Sequence, residues 1–137
     1  MATGIKRFGN LQYVIVFQPR DKIHSFYDRY TDKHYSHVYL MTKISQTQTL
    51  VIDPLCFSIC HIIRNESLED AIKSAITLGA TRILRYNKRN KYTPGLNLRG
   101  IYNCVTLCKT VLNIKGFSFT PKQLYRYLLK LGATEEY

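Results

Sequence analysis

From Ala71 to Thr134 the chain contains no aspartate or glutamate, yet twelve of its lysines and arginines fall there. The first 70 residues carry eight basic and seven acidic side chains, and the other two acids are Glu135 and Glu136. The net charge of +11 thus belongs to the second half of the chain. An unopposed basic stretch attracts polyanions. Its densest part, Arg82, Arg85, Lys88, Arg89 and Lys91, is interleaved with Tyr86 and Tyr92, which suits phosphate contact with base stacking or an acidic protein partner. No recognised reader motif accompanies the charge, and a solvated surface that aids solubility gives the same pattern.

Other absences narrow the class. No apolar run approaches the roughly 20 residues that span a bilayer, so no transmembrane segment is expected. Lys6 and Arg7 are not followed by an apolar stretch with a cleavage site, so no signal peptide is expected. A cytoplasmic chain is expected, with its four cysteines as thiols. Pro-rich tracts, Ser-rich tracts, repeats and linkers are all missing, and 137 residues suffice for one globular domain with its own core. Gly95 and Gly100 are not followed by the Lys-Ser/Thr of a phosphate loop. Neither a paired-carboxylate motif nor a serine nucleophile elbow is present, and no cofactor is expected.

What is present reads as α+β, a small antiparallel sheet packed against helices. Leu11 to Phe17 is β-branched and aromatic, a buried strand ended by Pro19. Residues 22–30 fit a short helix or an ordered loop. His37 to Ile44 and Thr47 to Asp53 flank the break Ser45-Gln46 and predict an antiparallel hairpin, with Pro54 closing its second arm. Phe57 to Ile63 is a further strand. Ser67 and Asp70 have capping-box spacing before a helix that Gly79 stops. Thr81 to Tyr86 is another short strand, and residues 87–100 read as a loop. Val105, Cys108, Val111 and Leu112 then share one helical face, with the helix ending before Gly116. Thr120, Pro121 and Gln123 open a last helix that buries Leu124, Tyr127, Leu128 and Leu131 and stops at Gly132.

One cysteine stands apart. Asn103 is placed to cap the helix, which puts Cys104 in its first turn, where unpaired N–H groups favour an anion. His37 heads a strand after a polar loop, a position that can aim an imidazole at a cleft. Asp53, at a strand end, can hold one nitrogen of His37 and set its tautomer. Base, orienting carboxylate and thiol are the parts of a cysteine nucleophile site. A zinc site is the competing arrangement, using Cys56, Cys60, His61, Cys104 and Cys108, but the spacings depart from the usual Cys-x2-Cys knuckle.

Ser36-His37-Val38, Leu50-Val51-Ile52-Asp53-Pro54 and Tyr102-Asn103-Cys104-Val105-Thr106 together resemble the circularly permuted papain-like enzymes. These form the permuted branch of the NlpC/P60 superfamily and include lecithin:retinol acyltransferase-like proteins. Val105 and Thr106 replace the Glu-His that follows the cysteine in the acyltransferase branch. The resemblance implies a permuted papain-like fold, His37 as base, Asp53 as orienting residue and Cys104 as nucleophile. It also implies a substrate among peptides, amides, acyl esters and thioesters. The run from Asn113 to Leu128 resembles small bacteriophage proteins, which implies a phage origin and the host cytoplasm. The expectation is a cysteine-dependent hydrolase or acyltransferase. The Cys104 N–H, with Tyr39 or Tyr102, would hold the oxyanion, and the basic segment would lie beside the site. The alternative is a non-enzymatic protein that binds nucleic acid or an acidic partner through residues 71–134.

Overall fold

Alternation along each strand decides which core a side chain enters. In the computed structural model the described residues are 11–19, 35–55, 58–88, 104–114, 118 and 120–137. They form β1 (Leu11–Gln18), β2 (His37–Lys43), β3 (Thr49–Leu55), β4 (Ser58–Arg64), α1 (Leu68–Thr77), β5 (Arg82–Lys88), α2 (Cys104–Leu112), α3 (Pro121–Lys130) and β6 (Thr134–Glu135). The six strands make one sheet in the order β4-β3-β2-β1-β5-β6. Every neighbouring pair is antiparallel.

The expected α+β class is therefore what forms, with helices on both faces of the sheet. Tyr13, Ile15, Phe17, Val38, Leu40, Ile52 and Leu84 meet Val105, Leu107, Cys108 and Leu112 of α2 and Leu124 and Leu128 of α3. The alternate residues Val14, Val16, Tyr39, Met41, Val51 and Ile83 meet Leu68, Ala71, Ile72 and Ala75 of α1. β1 is buried on both sides from Tyr13 to Phe17, which explains its unbroken apolar run. Each large aliphatic side chain so buried contributes roughly 1.5–3 kcal/mol of transfer free energy.

Helix boundaries follow local chemistry. Ser67 caps α1 by accepting from the Asp70 N–H at 3.2 Å, while its own hydroxyl donates to the Asp70 carboxylate at 2.9 Å. α3 has the full capping box: Thr120 accepts from the Gln123 N–H, and the Gln123 side chain accepts from the Thr120 N–H. Each helix closes on a left-handed residue, Gly79 at φ 100°, Asn113 at φ 52° and Gly132 at φ 94°. The N–H groups of Ala80, Ile114 and Ala133 then reach back to Ala75, Lys109 and Leu128 in the Schellman pattern.

Two expectations are corrected. Pro54 does not close the hairpin arm but lies inside β3, in register with Ile59 of β4. Leu131 is exposed, since the helix ends at Lys130 and Leu131 becomes the cap. α2 ends before Gly116 as expected, closing on Asn113, since asparagine tolerates the left-handed region. The tail adds a strand, β6, along β5. The readings for residues 22–30, Cys56, Phe57, Arg89–Asn103 and Gly116 concern positions outside the described residues. Among those described, no helix is long and apolar enough to cross a membrane.

Candidate active site

The β2–β3 ladder runs from Lys43↔Thr49 to Leu40↔Ile52 and stops there. On either side pairing continues further, β1 with β2 to Gln18↔His37 and β3 with β4 to Leu55↔Ser58. The sheet thus opens locally between its second and third strands. Pro54 lies in the opened span and has no N–H to donate to a ladder. His37 and Asp53 stand on its two sides.

A side-chain bond replaces the missing backbone pairs. His37 Nε2 lies 2.6 Å from Asp53 Oδ1, with the two side chains 12% and 29% exposed. A carboxylate only accepts, so Nε2–H is the donor, and in the neutral ring Nδ1 holds the lone pair. Nδ1 is buried and has no hydrogen-bond partner among the described residues.

Cys104 supplies the third group. It is the first residue of α2, which packs on β2 and β3, and its free thiol is half-buried. Burial opposes a charge on His37. That burial is the largest single effect, but the hydrogen bond to Asp53, the neighbouring Cys104 sulfur and the Asp53 charge act jointly against it. Together they raise the imidazole from 6.5 to about 9. The sulfur is therefore close enough to act on the ring, without the alignment of a formed bond at Nδ1. Resting sites commonly hold such contacts loose and tighten them around substrate. The three residues singled out in the sequence meet at one end of the sheet.

The neighbourhood sharpens the assignment. Cys108, one turn after Cys104, is fully buried, and that burial pushes its thiol well above its ordinary range, with Cys104 and Asp53 adding to the effect. It serves as core. Tyr39 lies beside His37 with ring centroids 6.3 Å apart. Burial pushes the Tyr39 phenol up to about 12, opposed by Arg64 and assisted by Asp53, so the hydroxyl keeps its proton. Its oxygen accepts from Gln18 Nε2 at 3.5 Å. Sequence reading passed over Gln18, the last residue of β1. Its signal was position alone, one residue before Pro19 and opposite His37 in the register. Tyr102, the other proposed oxyanion donor, lies outside the described residues.

Two residues of the basic cluster, Arg82 and Arg85, have acidic partners in the fold. Arg85 reaches Glu69 at 2.6 Å and Glu136 through two bonds of 2.9 and 3.0 Å. Arg82 pairs with Glu135 at 3.4 Å. Arg82 and Arg85 are thus paired with acids from α1 and the tail, which come from outside the acid-free stretch. Lys88 ends β5, and Arg89 and Lys91 lie outside the described residues. Among the described residues no three His, Cys, Asp or Glu side chains gather as metal ligands. Cys60 is a free, half-exposed thiol paired in register with Asp53, and Cys56 lies outside the described set. In comparisons with known proteins, no family model, no curated sequence and no solved structure matches this chain.

Proposed function

We propose that this protein is a cysteine-dependent hydrolase or acyltransferase, with Cys104 as nucleophile, His37 as base and acid, and Asp53 as the residue that orients His37. The observation that carries the reading is the 2.6 Å His37–Asp53 bond, which leaves a buried, unpartnered Nδ1 beside the Cys104 thiol. A structural histidine would ordinarily have both nitrogens satisfied.

The chemistry follows from these positions. The Cys104 proton rests on Nδ1, and the imidazolium so formed, which the site holds up to about pH 9, is stabilised by Asp53 at Nε2. The thiolate attacks a carbonyl carbon, the C–S bond forms, and the carbonyl electron pair moves to oxygen. N–H groups of the first turn of α2 would serve as donors to such an oxyanion. His37 then gives its proton to the departing amine, alcohol or thiol as that bond breaks. The thioester left behind is resolved by water or by an acyl acceptor, with His37 again removing the proton. The chain order His, Asp, Cys, the antiparallel sheet and the helix-borne cysteine support a permuted papain-like architecture.

Burst kinetics with p-nitrophenyl acetate test the reading. One equivalent of p-nitrophenolate per protein should appear before the steady state, with an acetyl group on Cys104 in the intact mass. Cys104→Ala should abolish both. A burst of equal size in Cys104→Ala, or acetylation confined to another side chain, would overturn the assignment.

A further inference from the structure

Three aromatic rings gather on the face of the sheet that carries α2 and α3, at the end of β1 that pairs with the His37 end of β2. Phe17 is fully buried near the end of β1, in register with Val38. Tyr35 contacts its ring edge-on at 5.9 Å between centroids, and Tyr125 of α3 does so at 5.6 Å with an interplanar angle of 89°. The two tyrosines are 5.4 Å apart and tilted 50° to each other. Both are only half-buried, so their rings form the outer surface of a cluster whose base is Phe17.

The rings are held in place. The Ser36 N–H donates to the Gln18 carbonyl at 3.1 Å, which pins the segment carrying Tyr35 to β1. The Tyr125 hydroxyl donates to Glu135 at 2.7 Å, and Glu135 in turn pairs with Arg82 at 3.4 Å. Fixed aromatic faces bind at low entropic cost. Tyr35 is two residues from His37, and Cys104, Tyr35 and Tyr125 all pack on the same apolar cluster. Asp53 lies on β3 and Phe17 on β1, the two neighbours of β2, and Phe17 pairs with Val38, the residue after His37.

We propose that Tyr35 and Tyr125 form a shelf that binds a planar aromatic group of the substrate next to the carbonyl attacked by Cys104. This assignment rests on the thiol chemistry proposed above. It names a substrate class, acyl compounds bearing an aromatic substituent near the scissile bond, and two residues that set specificity. Offset or edge-to-face contact with two rings is worth about threefold to tenfold in binding beyond simple burial.

Alkylation rates at Cys104 test it without knowledge of the natural substrate. Iodoacetamide and N-phenyliodoacetamide react in the same way: the thiolate sulfur bonds to carbon, the C–I bond breaks and iodide leaves. The ratio of their rates at Cys104, each divided by its rate with N-acetylcysteine, reports the aryl preference. The expected ratio is about threefold to tenfold in the native protein, falling close to one in Tyr35→Ala and in Tyr125→Ala. Tyr125→Phe should retain most of it, because the ring and not the hydroxyl makes the contact. Tyr125→Leu replaces the alanine variant if circular dichroism shows the latter unfolded. A ratio near one in the native protein, or a raised ratio kept in both ring-deleted variants, overturns the shelf. If Cys104 reacts faster than N-acetylcysteine at pH 6 with both reagents but without aryl preference, the shelf alone fails. If it reacts no faster with either, the proposed function fails and the shelf with it.

Discussion

At the turn end of the β2–β3 pair the ladder runs unbroken to Lys43↔Thr49. There the N–H groups of Ile44 and Ser45 both reach the Gln48 carbonyl, and buried Thr49 donates to the Glu66 carbonyl at 3.0 Å. At the other end the same two strands part after Leu40↔Ile52, and His37, Tyr39 and Asp53 occupy the opened span. One end satisfies its polar groups locally. The other holds a buried imidazole with one nitrogen unused, a cost of about 1–3 kcal/mol for an unsatisfied buried group. Such strain is expected where chemistry and not stability sets the residue types. The difference also separates the two thiols of α2. Cys104 reaches the open end, while Cys108 is sealed in the core below it.

The largest test of this contrast compares those cysteines. Cys104→Ala should remove esterase turnover by at least about a thousandfold, the usual cost of losing a covalent nucleophile. Cys108→Ala should keep a full burst with p-nitrophenyl acetate and lose about 1 kcal/mol of stability through the small cavity it leaves. Burst amplitude with chemical denaturation resolves both effects. Loss of the burst in Cys108→Ala with the fold intact would erase the distinction between the two positions.

Next in size is the proton on His37. Its folded value is raised from 6.5 to about 9, so the folded state holds this proton more tightly than the unfolded chain. The stabilisation is therefore complete below pH 6.5 and is lost as pH rises through about 9. A shift of this size corresponds to on the order of 3 kcal/mol. Denaturation midpoints should fall across that window, and the imidazole resonances should titrate near its upper end. Asp53→Asn and Cys104→Ala should each lower the midpoint, because each removes a partner that offsets the burial. A native midpoint near 6.5, insensitive to both substitutions, would mean that neither group acts on the ring. Asp53→Asn should also move the alkaline limit of His37 acid catalysis downward while preserving an acceptor for Nε2–H.

Much of this arrangement was legible in the chain. β1, the hairpin, the Ser67 and Thr120 caps and the Gly79 and Gly132 stops are decided by near neighbours, and local patterns report them. His37, Asp53 and Cys104 were singled out for the same reason, each by its place at an element's end. The sheet order was not legible, because register depends on partners distant in sequence. Pro54 read as a terminator, yet its strand continues by pairing with β4 while the β2 side opens. The ion pairs of Arg82 and Arg85 were hidden for a related reason. Arg85 looks unopposed in sequence, and its acids arrive from Glu69 and Glu136, 16 and 51 residues away. The aromatic shelf was equally hidden, since Phe17, Tyr35 and Tyr125 meet only in the fold.

The smallest expected effect belongs to the closed end. Thr49 is fully buried, and its hydroxyl donates to the Glu66 carbonyl just before the Ser67 cap. Thr49→Val keeps the shape and the β-branching but leaves that carbonyl short of a donor. The cost should be about 1 kcal/mol, the net worth of one neutral hydrogen bond, or a fall in melting temperature of roughly 3 °C. Because the unbroken ladder isolates this end from the opened one, the iodoacetamide rate at Cys104 and the His37 titration should not change. A stability loss accompanied by a shifted His37 midpoint would show that the two ends of the β2–β3 pair are mechanically coupled. The opening after Leu40 would then be a property of the whole hairpin and not of the residues that flank it.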